Sequence, residues 1–310
     1  TDKAELLNDA AVLAPNASVP AYMRAYADPR VIEIMTAARN YRKIASEVKF
    51  GDMTTAFAQF HAIEFTGTST PYGDYDGNGQ VGVNTAYPVR EQYIFQTTLK
   101  VGDLEQAMNA RVGLDLYAQK QTSAAILLDS EFNRFALYGV AGKSIYGLLN
   151  DPNLNAAIAP ETVDGSTDWD GKGCDEQMVD INKLYKALVG QAGGHIDDTT
   201  PLVMLVSPQS MADLNKRNAY GIACKDMVKD TFPNMEIVVV PELNNESTGD
   251  TMIIMAKDIM GQNVVEFGYS EKYHAHEAIR GLSDVSQKIS AGTYGAIVYL
   301  PFAVATMTGI

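Results

Sequence analysis

A chain of 310 residues, 46% of them hydrophobic, can bury one elaborate core or two ordinary ones, which excludes a disordered polypeptide. Its 24 Lys and Arg against 38 Asp and Glu leave a formal charge of -14, a surface that repels phosphate and anionic lipid and argues against a sequence reader of nucleic acid. No apolar run reaches the ~20 residues of a membrane span and no basic-then-apolar leader opens the chain, so the expectation is a protein working in a cytoplasm.

Residues 1 to about 46 are polar and broken by Pro15, Pro20 and Pro29, with one helical patch in "RVIEIMTAARNYRKIA", where Ile32, Met35, Ala38 and Tyr41 share a face. The chain starts at Thr1, which fits either Met removal or cleavage of a longer precursor. From Lys49 to Lys100 it is rich in Thr, Tyr, Phe and Val with Gly clustered midway, which predicts two long strands joined by a wide tip and projecting from the body. Next, "DLEQAMNARVGLDLYAQKQTSAAILLDSEFNRFALYG" predicts one helix from an Asp103 cap to Gly139, with Leu104, Met108, Val112, Leu114, Tyr117, Ala124, Leu128, Phe132 and Phe135 at helical spacing. At about 1.5 Å per residue such a helix exceeds 50 Å.

A turn ("SIYGLLNDPNLN") and a Gly-, Asp- and Thr-rich loop follow, then an amphipathic helix whose Met178, Ile181, Leu184 and Leu188 line one side. The remainder alternates, with "PLVMLVS" a buried strand, "PQSMADLNKR" a helix with Pro208 in its first turn, and "NMEIVVVPEL" and "TMIIMA" two more strands. The C-terminal section is strand-rich, with Gly292, Gly295 and Pro301 expected as breaks.

Motifs that carry chemistry fail one by one. "DYDGNG" offers Asp74, Asp76, Asn78 and Gly79 in the order of a calcium loop, but the twelfth position is Thr85, not Glu, and the flanks read as strands; a hairpin tip shaped by glycines explains it better. "GVAGKS" lacks the first glycine of a phosphate loop and follows a helix, so Gly139 and Gly142 read as helix terminators, with Lys143 near the carbonyl end. His274 and His276 fall on one strand face beside Glu277 without a visible third ligand, and His61 and His195 stand alone. Cys174 and Cys224 form no C-x-x-C pair and no disulfide framework, which predicts two buried or inert thiols in a reducing compartment. No G-x-S-x-G elbow or paired carboxylates occur, so no catalytic, cofactor-binding or metal residue is assigned and no cofactor is expected.

The order of elements, together with "FALYGVAGKSIYGLLNDPNLN" and "LVMLVSPQSMADL", resembles tailed-bacteriophage major capsid proteins of the Hong Kong 97 type over nearly the whole chain. The resemblance implies an α+β fold with an N-terminal arm (1–48), an extended-loop β-hairpin (49–102), a spine helix of a peripheral domain (103–150), an axial domain (151–258) and returning peripheral strands (259–310). It implies a structural protein, not an enzyme, that self-assembles as pentamers and hexamers into an icosahedral head around double-stranded DNA. Its partners would be scaffolding, portal and decoration proteins, with no membrane, and it would reside in the virion after assembly in the bacterial host cytoplasm. Phe57, Phe60, Ile63, Phe65, Tyr93 and Phe95 would gain burial on a neighbour's spine helix. The founding member of that fold links a Lys of its extended loop to a neighbour's Asn, whereas residues 50–99 here contain no Lys, which predicts a non-covalent shell. The alternatives are an encapsulin-type nanocompartment wall of the same fold and a soluble α/β enzyme with an unrecognised site.

Overall fold

A computed structural model describes residues 39–75, 77–111, 113, 115–163, 165–244 and 249–310. Ile32, Met35 and Ala38 of the predicted arm helix lie outside these residues, as do Asp76 of the hairpin tip and Val112 and Leu114 of the predicted spine. The described elements are, in chain order, α1 (Tyr41–Ile44), β1 (Ser46–Lys49), β2 (Phe57–Gln59), β3 (Ala62–Thr68), β4 (Gln80–Ala86), β5 (Val89–Glu91), β6 (Tyr93–Gly102), α2 (Asp103–Ala110) and α3 (Leu116–Tyr138). They continue with α4 (Cys174–Ala192), β7 (Leu202–Val206), α5 (Pro208–Asp213), α6 (Cys224–Thr231), β8 (Met235–Val239) and β9 (Thr251–Ala256). The last are β10 (Asp258–Ile259), β11 (Gln262–Asn263), β12 (Val265–Ala275), β13 (Ile279–Arg280), β14 (Asp284–Val298) and β15 (Val304–Thr308).

Two sheets organise the molecule. In the first, β14 lies between β12 and β6, both antiparallel to it, while β1 adds in parallel to β12 and the short β13 pairs with β14. The spine helix α3 crosses this sheet, and its Ala124, Leu128, Phe132 and Phe135 are buried as their spacing requires. The second sheet runs β15-β9-β7-β8, with β7 buried at every residue and parallel to β8. Helix α4 packs on β15 and β9 through the predicted face of Met178, Ile181, Leu184 and Leu188, all buried. α5 begins as read, with the Ser207 hydroxyl accepting from the Ser210 amide and Pro208 in the first turn.

Several expectations are corrected. The spine is two helices: Gly113 adopts φ +80 between α2 and α3, a conformation an L-residue resists, and Asp115 recaps the chain by accepting from the amides of Tyr117 and Ala118. Asp103 is therefore the first residue of α2 and not the cap of one long helix, and the 23 residues of α3 span about 35 Å. Gly292 and Gly295 do not break β14, which runs through both; only Pro301 interrupts, in a 3-10 turn at Pro301–Ala303. The projecting ribbon ends at β5, because β6 is integrated into the first sheet. The segment after residue 259 serves both sheets, since β15 pairs with β9.

Cys174 and Cys224 are not free thiols but are bonded to each other, with Cα atoms 5.3 Å apart. Each opens a helix, α4 and α6, and these helices pack together, a proximity that a separation of 50 residues conceals.

The turn after the spine has a compact physical explanation. The chain doubles back along the last turn of α3, the amides of Leu148 and Leu149 donating to the carbonyls of Ala136 and Leu137. Asn150 closes the turn from both sides, donating to the Tyr138 carbonyl (2.6 Å) and accepting from the Gly147 amide (2.7 Å). A Cβ on Gly147 would stand 2.3 Å from the backbone carbon and oxygen of Leu137, so only glycine allows this approach. Gly147→Ala is expected to destabilise the subunit by about 3 kcal/mol, measured as a lower urea midpoint of unassembled protein; an unchanged midpoint would show that the turn and helix end can separate at no cost.

Candidate assembly surface

The ribbon formed by β2–β5 and β3–β4 carries a row of exposed apolar side chains. Antiparallel register sets Ile63 opposite Thr85, Phe65 opposite Val83 and Gly67 opposite Val81, so these six share one face. The other face carries Thr66, Thr68, Gly82, Asn84 and Gln80. Phe65 is 83% exposed and Val81 85%, with Ile63 and Val83 also more than half exposed. A two-stranded ribbon with one bare apolar face is not stable on its own in water.

Its root, in contrast, is firmly held. The Phe50 ring packs edge-on against Phe60 and Tyr294, and Phe60 packs in turn against Tyr299. Arg90 of β5 pairs at 2.8 Å with Asp151, whose side chain is fully buried, and its guanidinium lies over the Tyr146 ring. The ribbon is thus fixed in direction at its base, while Phe65, Val81 and Val83 farther out stay largely exposed. Of the six residues expected to need a neighbour, Phe57, Ile63 and Phe65 are exposed as anticipated, and Phe60 is half-buried in the root. Tyr93 and Phe95 belong to β6 and pack edge-on against Phe132 and Phe135 of their own spine, a correction that follows from β6 lying in the sheet.

The spine presents Ile126 and Leu127 outward, and residues 39–42 cross beside them. Arg39 donates to the Ile126 carbonyl and pairs with Asp129, which also holds Arg42 and the Tyr41 hydroxyl. Burial, with Asp129 and Glu47 nearby, pushes the Tyr41 phenol far above its ordinary value. Burial also pushes Glu47 upward, but hydrogen bonds from Lys272 and Tyr41 outweigh it and hold the carboxyl below its usual range. Both groups are locked into structural contacts.

The residues weighed for chemistry are placed as follows. His274 and His276 do share a face, their rings 4.7 Å apart, but His274 contacts Glu271 and His276 contacts the Ser290 hydroxyl. Among the described residues no three His, Cys, Asp or Glu side chains gather to hold a metal. His61 packs on Tyr87 and His195 on Phe302. Gly139 caps α3 with φ +64, and Lys143 reaches Glu91. A cleft of about 620 Å³ between spine and second sheet contains Asp151 and Glu242, which are engaged by Arg90 and Asn133. No helix of the described residues is long and apolar enough to cross a membrane.

Sequence reading missed one buried ionic network. Asp180 accepts from Lys172 (2.6 Å) and the Trp169 indole (3.0 Å) through one oxygen and from the Glu161 amide (2.7 Å) through the other. Lys172 also donates to the Glu161 carbonyl, and both charged side chains are 2% exposed or less. The signal available was a lone Trp between acidic residues in an otherwise polar loop.

Comparison with known proteins agrees with this picture. The chain matches the family model described as Pa193 gp26 major capsid protein over residues 10–309. No curated protein matches it. Among solved structures it is similar to the capsid of Myoviridae phage XM1, with 10% identity and a TM-score of 0.81 over 96% of this chain and 100% of that one. It is similar to the capsid of the native GTA particle, with 10% identity and a TM-score of 0.65 over 95% and 99% of the two chains. A virus-like particle from Pyrococcus furiosus follows with 15% identity and a TM-score of 0.53 over 86% and 90%. At such identities these likenesses establish the fold, an α+β architecture of the Hong Kong 97 type, and the family match does not favour the nanocompartment alternative. Because one family model spans residues 10–309, the chain belongs to the Pa193 gp26 major capsid protein family, and it is a phage major capsid protein, a self-associating structural component of the virion shell.

Proposed function

We propose that this subunit builds the icosahedral head of a tailed phage around double-stranded DNA, as pentamers and hexamers assembled in the host cytoplasm. The observation that carries the reading is the ribbon with a fixed root and an unpartnered apolar face. In this reading residues 57–91 are the extended loop, α3 with the first sheet the peripheral region, and α4 with the second sheet the axial region. The face bearing Phe65 and Val83 covers the outer side of a neighbour's spine near Leu127, at ~25 cal/mol per Å² of apolar surface buried. Such heterologous contacts close into rings and then a finite shell. A charge of -14 keeps the wall from binding the packaged DNA through counterion release, so scaffolding, portal and decoration proteins, not nucleic-acid contacts, are its partners.

Size-exclusion chromatography with electron microscopy tests the reading, the expected products being capsomers and megadalton particles with nuclease-protected DNA inside those taken from infected cells. A compact monomer with its ribbon folded onto its own body would sink it. Because residues 50–99 offer no Lys amine, boiled particles should run as a single band of subunit mass on denaturing gels; a ladder of linked subunits would contradict a non-covalent shell.

A further inference from the structure

The bonded cysteines lie at the starts of α4 and α6, outside the exposed ribbon. Cys174 opens α4 and Cys224 opens α6, and between them lie α4, the fully buried strand β7 and α5. The bond therefore ties together the two ends of a segment that supplies α4, α5 and one of the four strands of the second sheet. Both side chains are buried, with Cys224 at 0% exposure. Their surroundings do not depend on the bond: Met227 lies against Cys174, and Met178 and Val228 belong to the core cluster that packs α4 and α6 together. Two small apolar thiols suit the same space.

Cys224 follows a tight loop in which Asn218 accepts from the amides of Tyr220 and Ile222, and Arg217 bridges to Ala223. Tyr220 at the tip of this loop is 88% exposed, and exchange at the fully buried Cys224 requires local opening of the loop. Each cysteine is the first residue of a helix, with the helix dipole on one side and Asp175 and Glu176, or Asp226, in the same first turn.

We propose that Cys174 and Cys224 are a thiol modification site, a dithiol while the shell is built and a disulfide staple once the particle meets an oxidising medium. The oxidant class is a low-molecular-weight disulfide. The thiolate of Cys224 attacks one of its sulfurs, breaking that S–S bond, releasing one small thiolate and forming a mixed disulfide. The Cys174 thiolate then attacks the Cys224 sulfur, closing the Sγ–Sγ bond and releasing the second small thiolate. Two protein thiols are oxidised by two electrons, the small disulfide is reduced to two thiols, and the two protons pass to the leaving thiolates. The timing rests on the proposed assembly in a reducing host cytoplasm. Closing a loop of this length restricts the unfolded chain, so the staple raises the melting temperature of the finished particle.

The test counts thiols. Cells are quenched and denatured with a maleimide before lysis, released particles are treated alike, and mass spectrometry reads maleimides per chain: two inside the cell and none in released particles are expected. Reductant should lower the melting temperature of released particles by roughly 5–10 °C and leave a Cys174→Ala/Cys224→Ala particle unmoved. Two maleimides on released chains, none inside the cell, or an equal reductant shift in the variant would each overturn the proposal. If no particle forms, the shell reading fails separately, and the staple is still read on the soluble chain. There oxidised glutathione should take the count from two to none, and a count that stays at two would overturn it.

Discussion

Phe65→Asp combined with Val83→Asp is expected to abolish shell formation while leaving the subunit folded. The two residues face each other across β3 and β4 on the apolar side of the ribbon. Phe65 is 83% exposed and Val83 54%, so the free subunit loses little packing when they change. In the proposed shell the same positions meet a neighbour's surface, where burying Phe and Val contributes about 1.5–3 kcal/mol each and burying an unpaired carboxylate costs more than that. The penalty recurs at every subunit contact, so assembly fails at its first steps. The double variant should show an unchanged melting temperature and circular dichroism, and should sediment as unassembled protein. Thr66→Asp, on the polar face of the same strand, serves as the control and should assemble normally. Wild-type particle yield from the double variant would show that the apolar face is not an interface.

Much of this was readable from residues alone, and the failures share a cause. The faces of α3 and α4, the buried strand β7 and the Ser207–Pro208 helix start all follow from local periodicity or capping, which act within a few residues. Tyr93 and Phe95 show the limit. Their alternation with polar residues continues the pattern of the ribbon, and nothing local distinguishes a strand that packs on its own spine from one that packs on a neighbour's. The break in the spine hinged on Gly113, a residue tolerated within helices elsewhere, whose positive φ here has no signal in the surrounding periodicity. The cysteine bond joins residues 50 apart, and Lys172 lies in the loop ahead of α4 while Asp180 lies within the helix, so neither contact has a local signature and both became visible only with the fold. At the assembly surface the exposed Ile63 and Phe65 were legible because a ribbon this long has no core to hide them.

Asp180→Ala is expected to be the most destabilising change of a single polar residue in the second layer. The substitution removes three acceptor contacts at once, taking the partner of the Trp169 indole and of the Glu161 amide and the counter-charge of the Lys172 ammonium. Lys172 keeps only the Glu161 carbonyl and has no route to water, its side chain being 2% exposed. Breaking a buried pair from one side costs about 3–5 kcal/mol, because the surviving charge stays desolvated. Lys172→Met should cost less, since Asp180 retains two donors, and Lys172→Met/Asp180→Asn should recover most of the loss by removing both charges while keeping an acceptor. Urea unfolding of the three variants in the non-assembling Phe65→Asp/Val83→Asp background gives the order, free of any contribution from shell contacts. If Asp180→Ala fell within 1 kcal/mol of its parent, the network would be ornamental. If it falls as expected, the loop carrying Trp169 is clamped to α4 by charge as well as by packing, and the second layer enters the shell as a rigid unit.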